Sequence, residues 1–457
     1  MAKKVQFGSR IGLIAATVGS AVGLGNVWRF PAEAQANGGA AFLILYIICV
    51  LLLGIPVMLG EFSLGRGTHS DAVGAFRKLS PGKKWWLTGG LAILASYLIL
   101  SFYMVVAGWT FEYFWQSLTG DLYAVSHQPG IDMAGLSSGF KAKMADYVGS
   151  TWKPLIVTYV MIALNLFILM RGVQKGIEKM SNVMMPVLFV LLLIFAGVAM
   201  SFPKAMEGLA FFLHPDFSKI TPEVCINALG QAFFSLSLGM GILITYSGYF
   251  PKETNLTGTA LTVSALDLLV ALLMGFIIFP AVMSFGLSDE GLEGATLVFV
   301  TLPEVFAQMP LTEVWSSLFF LLLMVAALTS TISLAEVSIA FVQDNFGISR
   351  KKACLWVLMP LAILSTLCSL SQGMLSDVHL LGMNLFDFLD TTATNLMLPA
   401  AAILTCIYLG WAAPKSYFKR ELSNHGRLNG SFIPVVIFIV RYVAPLLIGV
   451  ILVAKFL

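Results

Sequence analysis

Charged side chains are scarce in this sequence. Asp, Glu, Lys and Arg together account for 11% of its 457 residues, whereas they make up about a quarter of an ordinary soluble domain. Hydrophobic residues account for 58%, and the mean hydropathy is +0.88. A soluble fold of this composition would not have enough polar surface to face water, so the composition excludes a water-soluble protein.

Cysteine is also rare, and motifs that carry enzyme chemistry are missing. The five cysteines stand singly in or beside apolar segments, without the spacing of a metal site or a disulfide framework. We interpret them as small hydrophobic core residues. The sequence has no recognisable nucleophile with a base, metal-ligand cluster or phosphate-binding loop, so we do not expect an enzyme.

Long apolar runs dominate what is present. About 20 apolar residues in a helix cross the roughly 30 Å hydrocarbon core of a bilayer, and the chain offers such runs repeatedly. The sequence predicts eleven membrane spans, numbered here in chain order, at residues 11–34, 40–65, 85–117, 154–170, 177–200, 222–250, 257–286, 312–344, 353–371, 379–409 and 432–456.

The basic residues predict how these spans are oriented, because cytoplasmic loops near helix ends retain Lys and Arg. With the N-terminus in the cytoplasm, the segments on that side hold nineteen of the 27 Lys and Arg residues, and the opposite segments hold six. We therefore expect a multi-pass protein of the cell membrane with a cytoplasmic N-terminus and an external C-terminus. The basic residues orient helices, and the net charge of +3 gives no reason to expect nucleic acid as a partner.

The chain is predicted to form one membrane domain, residues 1–457. Two longer external segments stand out: residues 118–153 are polar, and residues 287–311 resemble a short helical lid over a vestibule.

Spans 1 and 6 share an unusual feature, since glycines interrupt both of them near mid-membrane. The interrupted stretches are Gly19–Asn26 and Ser235–Gly241. Glycine weakens a helix and lets the backbone approach a ligand, so paired breaks can present backbone groups to a substrate and its ions. The alternative is that small residues only allow close helix packing.

The same stretches carry a family resemblance. The sequence around Gly19–Asn26, followed by Val27-Trp28-Arg29-Phe30-Pro31 and Asn37-Gly38-Gly39, resembles the neurotransmitter:sodium symporter family. The likeness continues through Gly54-Ile55-Pro56, Gln231–Gly241, Leu328–Thr331 and Arg441-Tyr442, and so covers nearly the whole chain.

The resemblance implies a fold and a mechanism. It implies an all-α leucine-transporter-like membrane fold with unwound helices 1 and 6, two five-helix inverted repeats at residues 11–200 and 222–410, and helix 11 at residues 431–457. The implied function is sodium-coupled import of hydrophobic amino acids by alternating access. Two alternatives stay open: a sodium-coupled carrier of GABA-like or betaine-like zwitterions, and a non-transporting sensor of the same fold.

Two sodium sites are implied by the resemblance. The first comprises Ala21, Asn26, Ser235 and Asp267, and the second comprises Gly19, Val22, Ala326, Thr329 and Ser330. Oxygen ligands of these kinds suit a hard cation. In an apolar helix, however, Thr329 and Ser330 more often bond back to the preceding turn.

Asp267 also bears on chloride. A carboxylate inside the apolar run 263–283 is expensive unless it faces a cavity or a cation. Chloride-dependent members of the family carry Asn there and Ser one turn later, where this chain has Asp267 and Ala271, although Tyr46, Gln231 and Ser235 of the chloride site are present. We expect Asp267 to supply the negative charge and transport to be independent of chloride.

The substrate class follows from Gly23, which stands where amine-transporting relatives carry Asp. The first sodium site then needs a carboxylate from the ligand, which favours amino acids as substrates. The resemblance places the ligand among Ser20, Ala21, Leu24, Gly25, Ile99, Tyr103, Phe234, Ser235, Ser237, Met240, Ser330 and Leu334. This set contains no charged side chain, so we expect hydrophobic amino acids to bind, and flexible Met240 could make room for aromatic ones.

Gates and a hinge complete the predicted machinery. Tyr103 and Phe234 are expected to close over the substrate, and Arg29 to pair with Asp387, with Asp390 as the alternative partner. The inner gate is expected to involve Lys4, Asp344 and Tyr249. Gly176 and Pro186 predict that span 5 can unwind and admit water to the second sodium site, the alternative being a Pro-kinked packing helix.

Overall fold

A computed structural model of the chain describes residues 6–126, 133–286, 294–428 and 430–454. These residues are mostly helical. Nine helices among them are long and apolar enough to cross a membrane, and they correspond to predicted spans 2–5 and 7–11. Their bounds are Ala40–Thr68, Trp86–Thr119, Trp152–Met170, Val173–Ala199, Leu256–Phe285, Thr312–Phe346, Arg350–Leu370, Leu385–Ala412 and Ile433–Ala454.

The other two predicted spans are broken helices. Span 1 consists of Arg10–Ala21 and Gly25–Ala36, which meet at an angle of 53°. Span 6 consists of Pro222–Ser235 and Ile242–Ser247, separated by residues 236–241. Neither half of span 6 reaches membrane thickness alone, so among the described residues nine spans stand, or ten with span 1. The total of eleven remains a prediction.

The first halves of spans 1 and 6 begin at sequence-encoded caps. The Ser9 hydroxyl accepts a hydrogen bond from the Gly12 amide at 2.9 Å, which satisfies a free donor of the first turn. The Thr221 hydroxyl does the same for the Val224 amide at 3.2 Å, and Pro222 follows it at the first helical position. Both helices therefore start where local sequence chemistry places them.

Span 10 begins later than predicted. His379–Leu380 and Met383–Asn384 form a two-stranded antiparallel hairpin, and the helix starts at Leu385. Leu381 and Gly382 form the turn with φ of 51° and 82°. These left-handed conformations are incompatible with a helix, so the predicted start at residue 379 is wrong.

Shorter elements lie between the spans. They are Ala72–Leu79, Asp121–Val125, Met133–Gly149, Ala205–Leu213, Phe217–Lys219, Gly294–Ala307 and Tyr417–Leu422.

The helix Gly294–Ala307 occupies the segment predicted to be a lid, whose residues 287–293 lie outside the described part of the chain. It packs against Met133–Gly149 from the first long external segment. Burial raises the pKa of Glu304 in this helix above its usual value, while a hydrogen bond from Ser137 and the charge of Lys141 oppose the shift. The two predicted external segments thus form one assembly.

Packing places the two broken spans at the centre. Span 8 lies along span 3, and the first half of span 1 contacts spans 5, 7 and 8. The second half of span 6 packs on spans 2 and 8. The breaks are therefore enclosed by intact helices.

A buried ion pair fastens the end of span 2 to the segment between spans 10 and 11. The Arg66 guanidinium lies 2.8 Å from the Glu421 carboxylate, and both side chains are almost fully buried. Arg66 also donates to the backbone carbonyls of Thr254 and Glu421 at 2.5 and 2.6 Å. One side chain thus joins three separate parts of the chain.

Substitution Glu421→Gln is expected to destabilise the protein, because it leaves the buried Arg66 cation without its counter-charge. Breaking a buried ion pair by removing one partner costs about 3–5 kcal/mol. Thermal unfolding of the purified protein should show a clear fall in melting temperature, whereas Arg420→Gln, an exposed change on the same helix, should leave it unchanged. Equal melting temperatures for the two variants would contradict this role of the pair.

Candidate functional site

A cavity of about 370 Å³ lies at the level of the two breaks. Its lining includes every residue of the predicted substrate set except Leu24, which faces a neighbouring vestibule. Gly23 and Ile242 line it as well. The residues selected from the sequence are therefore brought together, and their role in binding a ligand remains a prediction.

The break in span 1 frees backbone groups for polar contacts and does not require a glycine with positive φ. The helix ends at Ala21, and Val22 is extended with φ −76° and ψ 106°. The Leu24 amide donates to the Tyr103 hydroxyl at 3.1 Å. A Cβ at Gly23 would lie 2.4 Å from the Ser330 Oγ and 3.0 Å from the Tyr103 hydroxyl, so this position needs glycine for space.

In span 6 the break depends on backbone conformation. Ser237, Gly239 and Gly241 have φ of 55°, 78° and 71°, which a helix cannot contain. The Ser237 hydroxyl donates to the Ser20 carbonyl at 2.7 Å, and this bond ties the two breaks together. The Gly239 amide donates to the buried Glu61 carboxylate at 2.7 Å, so span 2 satisfies a backbone donor that the broken helix leaves free.

The predicted first sodium site forms a compact polar cluster beside the cavity. The Asp267 carboxylate accepts hydrogen bonds from Asn26 Nδ2 at 2.8 Å, Ser235 Oγ at 2.9 Å and the Tyr46 hydroxyl at 3.1 Å. All four side chains are buried, and no Lys, Arg or His within the described residues forms an ion pair with Asp267. A buried carboxylate with only neutral partners is the environment that a cation would complete.

The predicted second sodium site is assembled less fully. Gly19 packs against Thr329, since a Cβ at position 19 would lie 3.3 Å from the Thr329 Cβ. The Thr329 hydroxyl donates to the carbonyls of Ala326 and Val325 at 2.9 and 3.2 Å, which is the local bonding considered as the alternative. Ser330 instead lines the cavity together with Tyr103.

Above the cavity, on the side away from the N-terminus, lies a vestibule of about 1730 Å³. Gly25, Tyr103 and Phe234 line both spaces, so the predicted gating rings stand at their boundary. Arg29, Asp387 and Asp390 also line the vestibule.

The predicted pair of Arg29 with Asp387 is not formed in this conformation. Arg29 lies over the Phe234 ring, 4.7 Å from its centroid, and 3.9 Å from the Glu33 carboxylate on the next helical turn. Asp387 instead accepts a hydrogen bond from Asn384 at 2.8 Å, within the cap of span 10. Asp390, the alternative partner, lines the vestibule with Arg29 and Asp387, but in the described part of the chain Arg29 forms an ion pair only with Glu33.

The opposite side of the cavity is closed by packed aromatic rings. Phe7 is buried, its amide donates to the Tyr249 carbonyl at 3.0 Å, and its ring meets Tyr246 edge to face at 6.0 Å. The Tyr249 hydroxyl donates to Glu336 at 2.6 Å, and Glu336 pairs with Arg350 at 2.5 Å. Of the residues predicted for the inner gate, Tyr249 lies in this packed layer and its gating role stays a prediction. Lys4 lies outside the described residues, and its pairing with Asp344 also stays a prediction.

Span 5 is linked to the start of span 1 on this closed side. Glu178 accepts hydrogen bonds from the Gly8 amide at 2.8 Å and the Ser9 hydroxyl at 2.7 Å. Gly176 lies in a π-helical turn, Val173–Glu178, and Pro186 lies inside the following α-helix. The segment 176–186 is thus helical here, and its predicted unwinding concerns another state.

Sequence reasoning overlooked Glu178, Glu336 and Arg350, and gave Glu61 no role. Glu336 stands in an apolar span just as Asp267 does, so the same argument would have identified it as functional. Glu178 and Arg350 lie at helix ends among other charged residues, where the sequence carries no comparable signal.

Comparison with known proteins agrees with this architecture. The sodium:neurotransmitter symporter family matches residues 4–127 and 137–457. An uncharacterised sodium-dependent transporter of Bacillus subtilis, YhdH, is 38% identical over 97% of this chain and 96% of its own length. Another uncharacterised sodium-dependent transporter, from Haemophilus influenzae, is 35% identical over 98% of this chain and 97% of its own length.

A solved structure shares the fold. The crystal structure of MhsT in complex with L-phenylalanine matches with a TM-score of 0.88 at 39% identity, over 99% of this chain and 100% of MhsT. Family, relatives and fold agree along the whole length. The chain is therefore a sodium-dependent membrane transporter that belongs to the sodium:neurotransmitter symporter family.

Proposed function

We propose that this transporter imports hydrophobic L-amino acids together with sodium and without chloride. The observation that carries the proposal is the contact between an uncharged cavity and the Asn26, Ser235 and Asp267 cluster. Ser235 belongs to both, so a ligand carboxylate in the cavity would adjoin the cation site. Ligand and ion would then stabilise each other, which is the physical basis of coupling.

The cavity favours a small zwitterion with an apolar side chain. Its polar groups include the Tyr103 hydroxyl and the backbone at the breaks, which suit the charged ends of an amino acid. Ile99, Met240 and Leu334 supply an apolar wall. MhsT, of nearly the same length and fold, was solved with L-phenylalanine, which supports aromatic as well as aliphatic ligands.

Transport would proceed by alternating access. The open vestibule and the packed layer of Phe7, Tyr249 and Glu336 correspond to an outward-facing state if the N-terminus is cytoplasmic, the orientation we propose for the cell membrane. Sodium and substrate would bind from the vestibule, and Tyr103 and Phe234 would then close over them. Opening of the inner side requires the bonds of Glu178 and Glu336 to break.

The deciding experiment is equilibrium binding of labelled leucine and tryptophan to the purified protein. We expect binding in sodium gluconate and none in potassium gluconate, with equal affinity when chloride replaces gluconate. Absence of leucine and tryptophan binding in sodium, together with sodium-dependent binding of labelled GABA or betaine, would overturn the substrate class. Uptake into proteoliposomes separates a transporter from a sensor, because a sensor binds the ligand without accumulating it.

Substitution Pro186→Ala is expected to slow transport. Proline has no amide to bond the carbonyl four residues earlier, so alanine restores a helical bond and stiffens the segment that must unwind. Sodium-driven uptake should fall about tenfold while outward-facing substrate binding is retained. Pro360→Ala serves as the matched control, because Pro360 also lies inside a helix but in span 9. Equal uptake by the two variants would show that Pro186 only kinks a packing helix.

A further inference from the structure

Arg441 is an arginine within an apolar membrane span. It lies in span 11, eight residues after the first residue of the helix Ile433–Ala454, or about 12 Å along its axis. Arginine inside a membrane span is costly and usually marks a functional site. The transport cycle described above makes no use of it.

The surroundings of Arg441 are aromatic. Its guanidinium lies 4.2 Å from the centroid of the Trp411 ring and 5.4 Å from that of Tyr442. Phe438 packs on Tyr442 at 5.4 Å. Gly410 allows the close approach of the two helices, because a Cβ there would lie 3.0 Å from the Arg441 Cα. Two π-helical turns, Tyr408–Ala412 and Ile439–Val443, face each other at this point.

The charge of Arg441 has no counter-charge among the described residues. No carboxylate there forms an ion pair with it, and its Nε is buried without a hydrogen-bond partner. Cation–π contact with Trp411 stabilises the cation in part. An anion that accepts two hydrogen bonds from the guanidinium fork would complete the site.

The location of the cluster indicates where that anion comes from. Trp411 is 58% and Tyr442 47% exposed on the outer surface of the helix bundle. Trp411 is the last residue but one of span 10, a 28-residue helix whose length of about 42 Å exceeds the hydrocarbon thickness. Its end therefore reaches the membrane interface, where Trp and Tyr are favoured and lipid phosphates lie.

An apolar track continues from the cluster along span 11. Tyr442, Leu446, Val450 and Val453 follow helical spacing along one face of span 11, and Leu446 is 68% exposed. The segment 413–432, at the same membrane face, carries Lys415, Lys419, Arg420 and Arg427, all exposed. Basic residues there attract anionic lipid headgroups.

We propose that Arg441, with Trp411 and Tyr442, binds the phosphate of an anionic phospholipid whose acyl chain lies along Leu446 and Val450. The guanidinium donates to the phosphate, and the aromatic rings flank the headgroup. The site is separate from the substrate cavity and lies between spans 10 and 11.

Native mass spectrometry of the delipidated full-length protein, titrated with phosphatidylglycerol or phosphatidylcholine, tests the proposal. We expect the first phosphatidylglycerol to bind about tenfold more weakly to Arg441→Gln, since a charge-assisted hydrogen bond is worth a factor of this order. Arg441→Lys should retain part of the affinity, because lysine keeps the charge without the fork. Trp411→Leu, which keeps every charge, should weaken binding a few-fold.

Arg427→Gln is the matched control, since it removes the same charge from an exposed position near the same membrane face. Equal losses in Arg441→Gln and Arg427→Gln, or equal affinity of the unaltered protein for both lipids, would overturn the proposal. Displacement of phosphatidylglycerol by millimolar inorganic phosphate would do so as well, because it would indicate a simple anion site. Melting temperatures of the variants show whether each is folded. If Arg441→Gln does not fold, the binding measured with Trp411→Leu still decides the test.

Discussion

Substitution Asp267→Asn should reduce sodium-dependent leucine binding in chloride-free medium by about 100-fold or more. The change keeps the shape of the side chain and removes the negative charge at the centre of the cluster formed with Asn26, Ser235 and Tyr46. A cation that loses a buried partner forfeits about 3–5 kcal/mol, and each 1.4 kcal/mol is a factor of ten in affinity. Equilibrium binding at fixed sodium, with gluconate as the anion, measures the effect.

Chloride should restore part of this lost binding. Without the carboxylate, the hydroxyls of Tyr46 and Ser235 remain, and chloride can accept hydrogen bonds from both. The Gln231 amide, which donates to the Gly25 carbonyl at 3.1 Å, lies beside the same break. Adding Ala271→Ser supplies the hydroxyl found in chloride-dependent relatives, so the double variant should respond to chloride more strongly.

Asp216→Asn, an exposed carboxylate outside the spans, is the control for a general change in charge. If Asp267→Asn bound leucine within threefold of the unaltered protein in gluconate, the carboxylate would not be the charge that the cation requires. The proposed independence from chloride would then lose its physical basis.

Substitution Gly23→Ala should lower substrate affinity by roughly 10- to 100-fold while leaving the protein folded. The added methyl would lie 2.4 Å from the Ser330 Oγ and 3.0 Å from the Tyr103 hydroxyl. Overpacking of this kind costs about 1–3 kcal/mol. Because these two groups face the cavity, the strain should appear mainly as lost binding, measured with labelled leucine in sodium.

The matched control is Gly230→Ala, in the first half of span 6, where a Cβ meets nothing within 4 Å. It should bind leucine normally, and both variants should melt near the temperature of the unaltered protein. Normal binding by Gly23→Ala would show that Ser330 and Tyr103 can move aside, and the cavity would then be looser than its contacts indicate.

The sequence predicted the centre of this protein better than its periphery. The substrate set implied by the family resemblance contains every residue of the cavity lining except Gly23 and Ile242, and the breaks that shape the cavity are local features marked by glycine. The reason for the glycines was only partly foreseen: Gly239 and Gly241 adopt left-handed conformations, whereas Gly23 leaves space for Ser330. Leu24 faces the vestibule because span 1 bends between its two halves.

Contacts between segments far apart in the chain could not be predicted from the sequence. Glu178 meets Gly8 across 170 positions, and Glu421 meets Arg66 across 355. Such pairs depend on how the helices pack, which no local pattern encodes. The state of the gates was also unpredictable, because Arg29 has several acidic neighbours and conformation decides between Glu33 and Asp387.

The division of the cavity wall between main chain and side chains has an evolutionary consequence. Main-chain groups at the breaks are the same whatever residues surround them, so their contribution does not change when a side chain such as Ile99, Met240 or Leu334 is replaced. Mutations can therefore reshape the apolar lining one position at a time while the contribution of the main chain persists. A fold built in this way can acquire new ligand preferences without having to reinvent its dependence on an ion gradient.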